Sequence, residues 1–290
     1  MSADVPQHPE SADQAPDAAA SAAPREGASG TAAVTDAFAR AAAPTIHLSW
    51  PGVTQGRAIQ AAMVDLDGTM VDTLGDFEVA LNRMLAELQL PPVSREFISQ
   101  TVGKGSEHLI RTVLAEQMRQ ASLTVCESSC PATQPEARYE QAWRSYQAHY
   151  HTINGQFAEV FAGVREGLQK LHVAGLPMAC LTNKPQAHAE ALLEALDLRQ
   201  YFQLVFGGDA FPRKKPDPMP LLETAKALRT PPQATLMLGD SSNDAQAAHA
   251  AGCPVLLVSY GYNHGEPIRA VSADGYLDSL SELVAAPLAG

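Results

Sequence analysis

The sequence predicts an α/β protein in which a Rossmann-like parallel sheet carries an inserted domain of α-helices. From about Gly163 onward, short apolar segments alternate with segments of helical length, which is typical of a parallel sheet with helices on both faces. One more apolar segment, Ile59–Val64, lies far upstream and is followed by a long block of helical patterning. We therefore expect this first strand to join the same sheet and the helical block to form a cap.

Hydrophobic periodicity predicts where the individual elements lie. Apolar residues recur at helical spacing from Asp76 to Leu90, and two prolines end that helix. Further helical patterning runs from Arg95 to about Tyr150, with a surface loop near residues 128–135. Beyond the cap, we predict the helices Val164–Ala174, Ala187–Leu196, Pro218–Leu228 and Ala245–Ala251, followed in turn by the strands Pro177–Leu181, Leu204–Phe206, Thr235–Leu238 and Val255–Val258.

The N-terminal segment differs in composition from the rest of the chain. Residues 1–57 are rich in Ala, Pro, Ser and Gly, and such a segment cannot bury enough surface to offset its chain entropy. We predict a disordered tail there, within which the apolar stretch Thr45–Trp50 is suited to packing on the folded domain. The remaining domains are a sheet-containing core over residues 58–74 and 160–290 and a helical cap over residues 75–159.

Composition and charge argue against several classes of function. The formal net charge is −12, from 32 acidic and 20 basic residues, and such a surface repels phosphate backbones, which disfavours nucleic-acid binding. No apolar run approaches the roughly 20 residues that a membrane helix needs. The four cysteines, Cys126, Cys130, Cys180 and Cys253, form no disulfide framework, so we expect reduced thiols and a cytoplasmic protein.

Two carboxylates lie one residue apart, directly after the first predicted strand, at Asp65 and Asp67. Residues i and i+2 of an extended segment share a face, and ligands of open parallel sheets bind beyond the carboxyl ends of the strands. Gly68 allows the chain to turn sharply away after them. Close carboxylates repel each other unless a cation or a shared proton offsets the repulsion. We therefore interpret the pair as a functional site rather than as an acidic surface turn.

Three more polar motifs follow predicted strands. Asp240 and Asp244 come after Thr235–Leu238, and together with the first pair they form an oxygen site suited to Mg²⁺, although helix capping explains them equally well. Thr182 and Asn183 follow the strand Pro177–Leu181, where a hydroxyl, a backbone N–H and a helix N-terminus together can bind phosphate. Finally, Lys215 lies before Pro216 in a basic turn and is a candidate phosphate ligand.

In chain order these motifs supply a carboxylate pair, a hydroxyl, a lysine and an acidic pair. From about Ile59 to its C-terminus, the chain resembles the haloacid dehalogenase-like hydrolase superfamily in this four-motif pattern. Six segments further resemble its bacterial phosphoglycolate phosphatases, namely Thr101–Gly105, Leu192–Leu198, Tyr201-Phe202, Gly207–Asp209, Lys214–Pro218 and Ser259–Glu266. The cap segment around Gln117–Glu136 is longer than that family's pattern.

The resemblance implies a Mg²⁺-dependent phosphatase of small phosphate monoesters, in particular of 2-phosphoglycolate, which would yield glycolate and phosphate. It implies that Asp65 attacks phosphorus to form an aspartyl-phosphate, and that Asp67 protonates the leaving group and then activates water. Dehalogenase members lack an acid at the position of Asp67, since a halide needs no proton. The implied ligands of Mg²⁺ are Asp65, the backbone carbonyl of Asp67, and Asp240.

The same resemblance assigns the phosphate-binding residues. Thr182, Asn183 and Lys215 would bind the phosphoryl oxygens, and Asp244 would orient Lys215 or a water molecule on the metal. In the cap, Lys104 or Arg111 could contact a substrate carboxylate, but ordinary surface charges are the favoured interpretation of both. The aromatic residues of the last cap helix, among them Tyr150, read as cap core.

Other activities on the same fold stay open at this point. A sugar-phosphate phosphatase, a pyrophosphatase and a β-phosphoglucomutase-like enzyme share the four motifs, because specificity lies in the cap. A catalytically silent phosphate-binding module is opposed by the presence of Asp65, Asp67 and Lys215. The expected partner is a small phosphorylated metabolite, with no nucleic acid and no membrane, and the chain is expected to be a monomer or a homodimer.

Overall fold

The structure is a computed structural model that describes residues 45–51, 57–124 and 135–287. Its strands, numbered along the chain, are β1 (Ile46–Ser49), β2 (Arg57–Ile59), β3 (Ala61–Val64), β4 (Val71–Asp72), β5 (Glu159–Val160), β6 (Met178–Leu181), β7 (Leu204–Phe206), β8 (Thr235–Gly239), β9 (Val255–Val258), β10 (Gly275–Leu277) and β11 (Val284–Pro287). Its α-helices are α1 (Leu74–Glu87), α2 (Arg95–Thr101), α3 (Ser106–Thr124), α4 (Pro135–Ile153), α5 (Val164–Val173), α6 (Gln186–Ala195), α7 (Met219–Ala227) and α8 (Ser242–Ala251).

The central sheet is parallel and has the strand order β10-β9-β8-β3-β6-β7. The first strand of this sheet in the sequence, β3, lies in its middle, between β8 and β6. Val64 pairs in register with Leu238 of β8 and with Cys180 of β6. The residues that follow these three strands therefore emerge side by side at one edge of the sheet, about 5 Å apart from strand to strand.

Helices cover both faces of the central sheet, which confirms the predicted α/β class. On one face, Ala62 and Val64 of β3 share a hydrophobic cluster with Leu168 of α5 and Leu192 of α6. On the other face, Met63 packs in a cluster that includes residues of α7 and α8. All four residues of β3 are buried, which explains why the strand reads as a continuous apolar run rather than as an alternating one.

Helices α1 to α4 form the cap around a hydrophobic cluster of their own. The chain leaves the core through β4 and returns through β5, and these two short strands pair in antiparallel fashion. Asp76, in the first turn of α1, is fully buried and accepts hydrogen bonds from the backbone N–H groups of Gly155 (2.6 Å) and Phe157 (2.8 Å). The outgoing and returning segments are thus joined by a strand pair and by one carboxylate.

The folded chain begins earlier than residue 58, so the predicted boundary of the N-terminal tail is wrong. Strand β1 lies between β11 and β2 in a three-stranded antiparallel sheet. Ile46, Leu48 and Trp50 alternate along the segment and are all buried, because a strand places residues i, i+2 and i+4 on one face. Packing of Thr45–Trp50 on the domain is therefore confirmed, while the tail predicted over residues 1–44 lies outside the described residues.

Most predicted elements agree with the structure to within a few residues. The predicted strand Ile59–Val64 is divided at Gln60 between β2 and β3, which belong to different sheets. Cys180 and Cys253 are buried free thiols, whereas Cys126, Cys130 and half of the long cap segment fall among residues 125–134, which are not described. In the described part of the chain, no helix is both long enough and apolar enough to cross a membrane.

Candidate active site

The structure brings three carboxylates together at the carboxyl edge of the central sheet. Asp65 follows β3 and Asp240 follows the neighbouring β8, while Asp244 lies in the first turn of α8. These side chains offer carboxylate oxygens that all lie within 4.8 Å of one another. Asp65 is 9% exposed, Asp240 3% and Asp244 0%, so the negative charge is concentrated where little water can screen it.

The Lys215 side chain is the cation within this cluster and is only 2% exposed. Its Nζ lies 2.7 Å from Asp244 Oδ1 and 3.0 Å from Asp65 Oδ1, and it donates to the carbonyl of Leu181 at 2.8 Å. All three N–H donors of the ammonium group are therefore used. Burial lowers the pKa of Lys215, but the charges of Asp244 and Asp65 outweigh burial and raise it above its usual value.

The carboxyl groups of Asp65 and Asp240 bind protons more readily than usual. Burial raises the pKa of Asp65 to about 7, because the opposing effect of Lys215 is smaller and Asp244 adds repulsion. Burial, followed by the charges of Asp244 and Asp65, raises the pKa of Asp240 well above its ordinary value. Three carboxylates around one ammonium group leave an excess of negative charge that a divalent cation would offset.

The donor set fits an oxygen-binding metal ion. Asp240 accepts one hydrogen bond at each carboxylate oxygen, from Thr69 Oγ1 (3.1 Å) and from the N–H of Tyr262 (2.6 Å), and each oxygen keeps a lone pair for a cation. Asp244, in contrast, accepts from Lys215 and from the N–H and hydroxyl groups of Ser241. Asp65 and Asp240 are therefore the carboxylates with capacity for a metal. Asp244 both supports Lys215 and caps α8, so the capping interpretation is also correct.

Two glycines allow loops to approach Asp240 closely. Gly68 has a φ of +84°, and a Cβ atom on it would lie 2.1 Å from Asp240 Oδ2. A Cβ atom on Gly261 would lie 2.2 Å from Asp240 Cβ. No other residue type fits either position, which is the physical reason for the glycine after Asp67.

Asp67 contacts a buried lysine that the sequence analysis did not assign. Lys184 Nζ lies 3.0 Å from Asp67 Oδ1, and the two side chains are 2% and 11% exposed. The same ammonium group donates a short hydrogen bond to the hydroxyl of Tyr150 in the cap. It also lies 4.8 Å from the ring centroid of Phe77 and 4.7 Å from that of Tyr150. The sequence did contain an indication that Lys184 lies in the site, because Lys184 comes two residues after Thr182 in a motif that follows a strand.

The side chain of Asn183 connects two loops rather than facing the carboxylates. Its Nδ2 donates to the carbonyls of Gly103 (3.0 Å) and Lys215 (2.9 Å), and its Oδ1 accepts from the N–H of Lys215 at 3.0 Å. Thr182 Oγ1 accepts from the N–H of Lys184 at 3.2 Å and keeps its own hydroxyl proton for another acceptor. Asn243 also donates to the carbonyl of Gly103, at 3.2 Å, so two asparagines of the core hold this cap loop.

A cleft between the cap and the core opens onto Asp65 and Asp67. Core residues Thr182, Asn183 and Lys184 line it together with the cap residues Phe77, Val102, Gly103, Gly105, Ser106, Leu109 and Tyr150. The two cations predicted as alternatives in the cap, Lys104 and Arg111, are exposed and are not among its lining residues. Arg111 instead pairs with Glu107 and stacks over the ring of Tyr139 at 3.6 Å.

Comparison with known proteins agrees with this geometry. Residues 62–258 match the family model described as haloacid dehalogenase-like hydrolase. The phosphoglycolate phosphatase of Thiobacillus denitrificans is 41% identical over 224 residues, covering 77% of this chain and 93% of that protein. That of Nitrosospira multiformis is 39% identical over 225 residues, with the same coverage of 77% and 93%.

A solved structure extends the likeness to three dimensions. The crystal structure of a predicted phosphoglycolate phosphatase from Haemophilus somnus superposes with a TM-score of 0.71 at 28% identity, covering 77% of this chain and 96% of that one. The family model reaches from β3 to β9 and therefore includes the cap helices between them. The chain therefore belongs to the haloacid dehalogenase-like hydrolase family and, within it, to the family of bacterial phosphoglycolate phosphatases.

Proposed function

We propose that this phosphoric monoester hydrolase acts on 2-phosphoglycolate, that it requires Mg²⁺, and that it works through a phosphorylated Asp65. The observation that carries the mechanism is the Asp65 carboxylate, which lies at the end of β3 with Lys215 Nζ 3.0 Å away and opens onto the cleft. The relatives named phosphoglycolate phosphatase, at 41% and 39% identity, support the substrate. Asp67, Thr182, Asn183, Lys215, Asp240 and Asp244 supply the roles in proton transfer, phosphate binding and metal binding.

In the first step, a carboxylate oxygen of Asp65 attacks phosphorus and forms an acyl phosphate, while the bond from phosphorus to the glycolate oxygen breaks. Asp67 gives its proton to that leaving oxygen. In the second step, Asp67 takes a proton from a water molecule that attacks the phosphorus of the intermediate, and this releases phosphate and restores Asp65. The close sequence spacing of the two carboxylates allows one to act as nucleophile and the other as acid and base.

The phosphoryl group needs positive partners that do not move during the reaction. Lys215 is held on three sides, and the hydroxyl of Thr182 together with the backbone N–H of Asn183 is suited to bind further phosphoryl oxygens. The amide side chain of Asn183 acts differently, because it is hydrogen-bonded to Gly103 and Lys215. It keeps the lysine loop and the cap loop in place around the phosphate.

Asp65, the backbone carbonyl of Asp67 and Asp240 would hold Mg²⁺, with Asp244 stabilising Lys215 beside it. When bound, the ion supplies positive charge that neutralises the phosphoryl oxygens and aligns them for attack. Its oxygen donors also suit Mn²⁺, so the identity of the metal is part of the proposal.

The test is phosphate release from a panel of small phosphate esters, with Mg²⁺ or with EDTA, for the wild type and for Asp65→Asn. Asp278→Asn serves as a matched control, because Asp278 lies on the surface with its side chain 66% exposed. We expect 2-phosphoglycolate to exceed the sugar phosphates, and EDTA or Asp65→Asn to abolish release. A sugar phosphate as the best substrate would refute the proposed substrate alone, whereas activity without Asp65 would refute the mechanism.

A further inference from the structure

Lys184 is a buried ammonium group in the cleft for which the phosphoryl chemistry has no use. Lys215 already provides the lysine beside the Asp65 nucleophile, and the acid–base residue needs no second cation to transfer a proton. We propose that Lys184 binds the carboxylate of the substrate and so selects phosphorylated carboxylic acids over neutral phosphate esters. This inference rests on the proposed function and adds the residue that sets its specificity.

The surroundings of Lys184 are those of an anion-binding group. Its side chain is 2% exposed, and its ammonium group lies beside the stacked rings of Phe77 and Tyr150, at 4.8 Å and 4.7 Å from their centroids. Removal from water strengthens its attraction for any anion that enters the cleft. Of its three donors, one is given to Asp67 and one to the hydroxyl of Tyr150, which leaves capacity for a further acceptor.

The covalent structure of the substrate places its carboxylate near this lysine. In 2-phosphoglycolate only one methylene group separates the leaving oxygen from the carboxyl carbon. The group that protonates the leaving oxygen is Asp67, so the carboxylate must lie within a few bond lengths of the Asp67 side chain. Lys184 is the cation that contacts Asp67, at 3.0 Å. Among the described residues that line the cleft, Lys184 is the one positive side chain that such a carboxylate could meet.

The described cap residues that line the cleft include no cation, but they contribute to specificity through Lys184. Tyr150 and Phe77 belong to α4 and α1, and they hold the ammonium group of a core residue. The Tyr150 hydroxyl is bound to Lys184, and the Tyr150 ring stacks on Phe77 with centroids 5.4 Å apart. The carboxylate site is therefore formed from both domains, which makes it sensitive to closure of the cap over the substrate.

A different role for Lys184 predicts a different pattern of substrates. If Lys184 served only to position Asp67, its loss would slow every ester with a poor leaving group by the same factor. If Lys184 also binds the carboxylate, its loss penalises 2-phosphoglycolate more than ethyl phosphate, which has a similarly poor leaving group and no carboxylate. The ratio of kcat/KM for the two esters therefore separates binding of the carboxylate from positioning of the acid.

The experiment measures kcat/KM of the wild type and of Lys184→Met on 2-phosphoglycolate and on ethyl phosphate, both with saturating Mg²⁺. Loss of the buried contact between Lys184 and Asp67 slows both esters. A hydrogen bond to a charged group contributes about 1.5–3 kcal/mol, so we expect the 2-phosphoglycolate value to fall by about a further 10- to 150-fold relative to the ethyl phosphate value, mainly through KM. Lys104→Met is the matched control, since Lys104 is exposed and does not line the cleft, and its ratio should stay within about twofold of the wild type.

Equal losses on the two esters, or an unchanged ratio, overturn the assignment of Lys184. Thermal unfolding checks that the variant is folded, and Lys184→Gln, which keeps a polar donor toward Asp67, gives the same test if the methionine variant is unstable. The wild type itself tests the underlying proposal. A wild type that does not prefer 2-phosphoglycolate to ethyl phosphate refutes the proposed substrate, whereas a preference that survives in Lys184→Met refutes only the role of Lys184.

Discussion

Replacing Asp244 by Asn tests the charge balance of the site. Asp244 is fully buried, and its two carboxylate oxygens have different partners. Oδ1 accepts from Lys215 at 2.7 Å, and Oδ2 accepts from the N–H and hydroxyl of Ser241 at 3.2 Å and 2.8 Å. An asparagine has one acceptor oxygen and one NH₂ group. Its oxygen can therefore accept either from Lys215 or from Ser241, and its NH₂ group must then face the donors of the other residue.

The size of the effect follows from the partners that remain. With Mg²⁺ bound, the three negative charges of Asp65, Asp240 and Asp244 balance the ion and Lys215, and Asp244→Asn leaves an uncompensated positive charge. Removing one partner of a buried ion pair typically costs about 3–5 kcal/mol. Because Lys215 keeps Asp65 at 3.0 Å, we expect the lower end of this range, about 3 kcal/mol. For a chain of this size, that corresponds to a decrease in Tm of about 6–12 °C.

The assay is differential scanning calorimetry of the wild type and Asp244→Asn in saturating Mg²⁺. The control is Asp278→Asn, which removes an exposed partner of Arg269 and should lower Tm by less than about 2 °C. The reasoning is refuted if Asp244→Asn and Asp278→Asn have the same Tm, because the buried pair would then contribute no more than a surface pair.

Asp67→Asn is expected to reduce kcat on 2-phosphoglycolate by about 10²–10⁴-fold, the usual contribution of a general acid and base, and steady-state turnover near that of the wild type would contradict this role. The pKa of Asp65 is raised to about 7 in the folded protein, and the pKa of Asp240 is raised as well. Protons must therefore leave these carboxyl groups when Mg²⁺ binds, and the affinity for Mg²⁺ should rise as the pH increases through about 7. Mg²⁺ should therefore raise Tm more at about pH 8 than at about pH 6 in the same calorimeter, and a larger increase at the lower pH would disprove the linkage. Asn243→Ala removes a 3.2 Å hydrogen bond to the Gly103 carbonyl of the cap loop and should raise KM for 2-phosphoglycolate by about two- to tenfold, with kcat nearly unchanged. Steady-state kinetics in which only kcat changes would show that this bond does not hold the cap loop in place for substrate binding.

The central sheet was predictable because four of its six strands, β3, β6, β8 and β9, are buried at every residue. The strands β8 and β9 read as apolar runs that end at polar motifs, and Val255–Val258 agrees with the prediction at both ends. Strand β4 was missed because it has two residues, too few for any periodicity to emerge. Strand β10 was missed because Gly275–Leu277 begins with a glycine and is only partly buried, so it does not read as an apolar run. Strand β11 was missed for a related reason, since Val284–Pro287 is short and contains a proline that is typical of loops.

The meeting of Asp65 and Asp240 followed from the rule that strand ends converge at one edge of a parallel sheet. The place of Lys215 beside Asp244 was implied by the family resemblance. The contact between Lys184 and Tyr150 was not predictable from the sequence. Helical spacing predicts that an aromatic residue is buried, but it does not say which neighbour its hydroxyl contacts. Tyr150 is indeed in the cap core, with 1% of its surface exposed, and its hydroxyl nevertheless reaches a core-domain lysine. The bridging side chain of Asn183 was hidden for the same reason, since its partners are fixed only by the closed tertiary structure.

The most direct test of the central claim is to trap the phosphoryl group on Asp65. The experiment uses the Asp67→Asn variant and p-nitrophenyl phosphate. The first step then needs no acid, because p-nitrophenolate leaves without a proton, whereas the second step lacks the base that activates water. The phosphorylated Asp65 should therefore accumulate. The prediction is a burst of about one p-nitrophenolate per chain, together with a phosphorylated peptide that mass spectrometry of the quenched protein maps to Asp65. The absence of a burst, combined with phosphate release and an unmodified Asp65 peptide, would contradict the account.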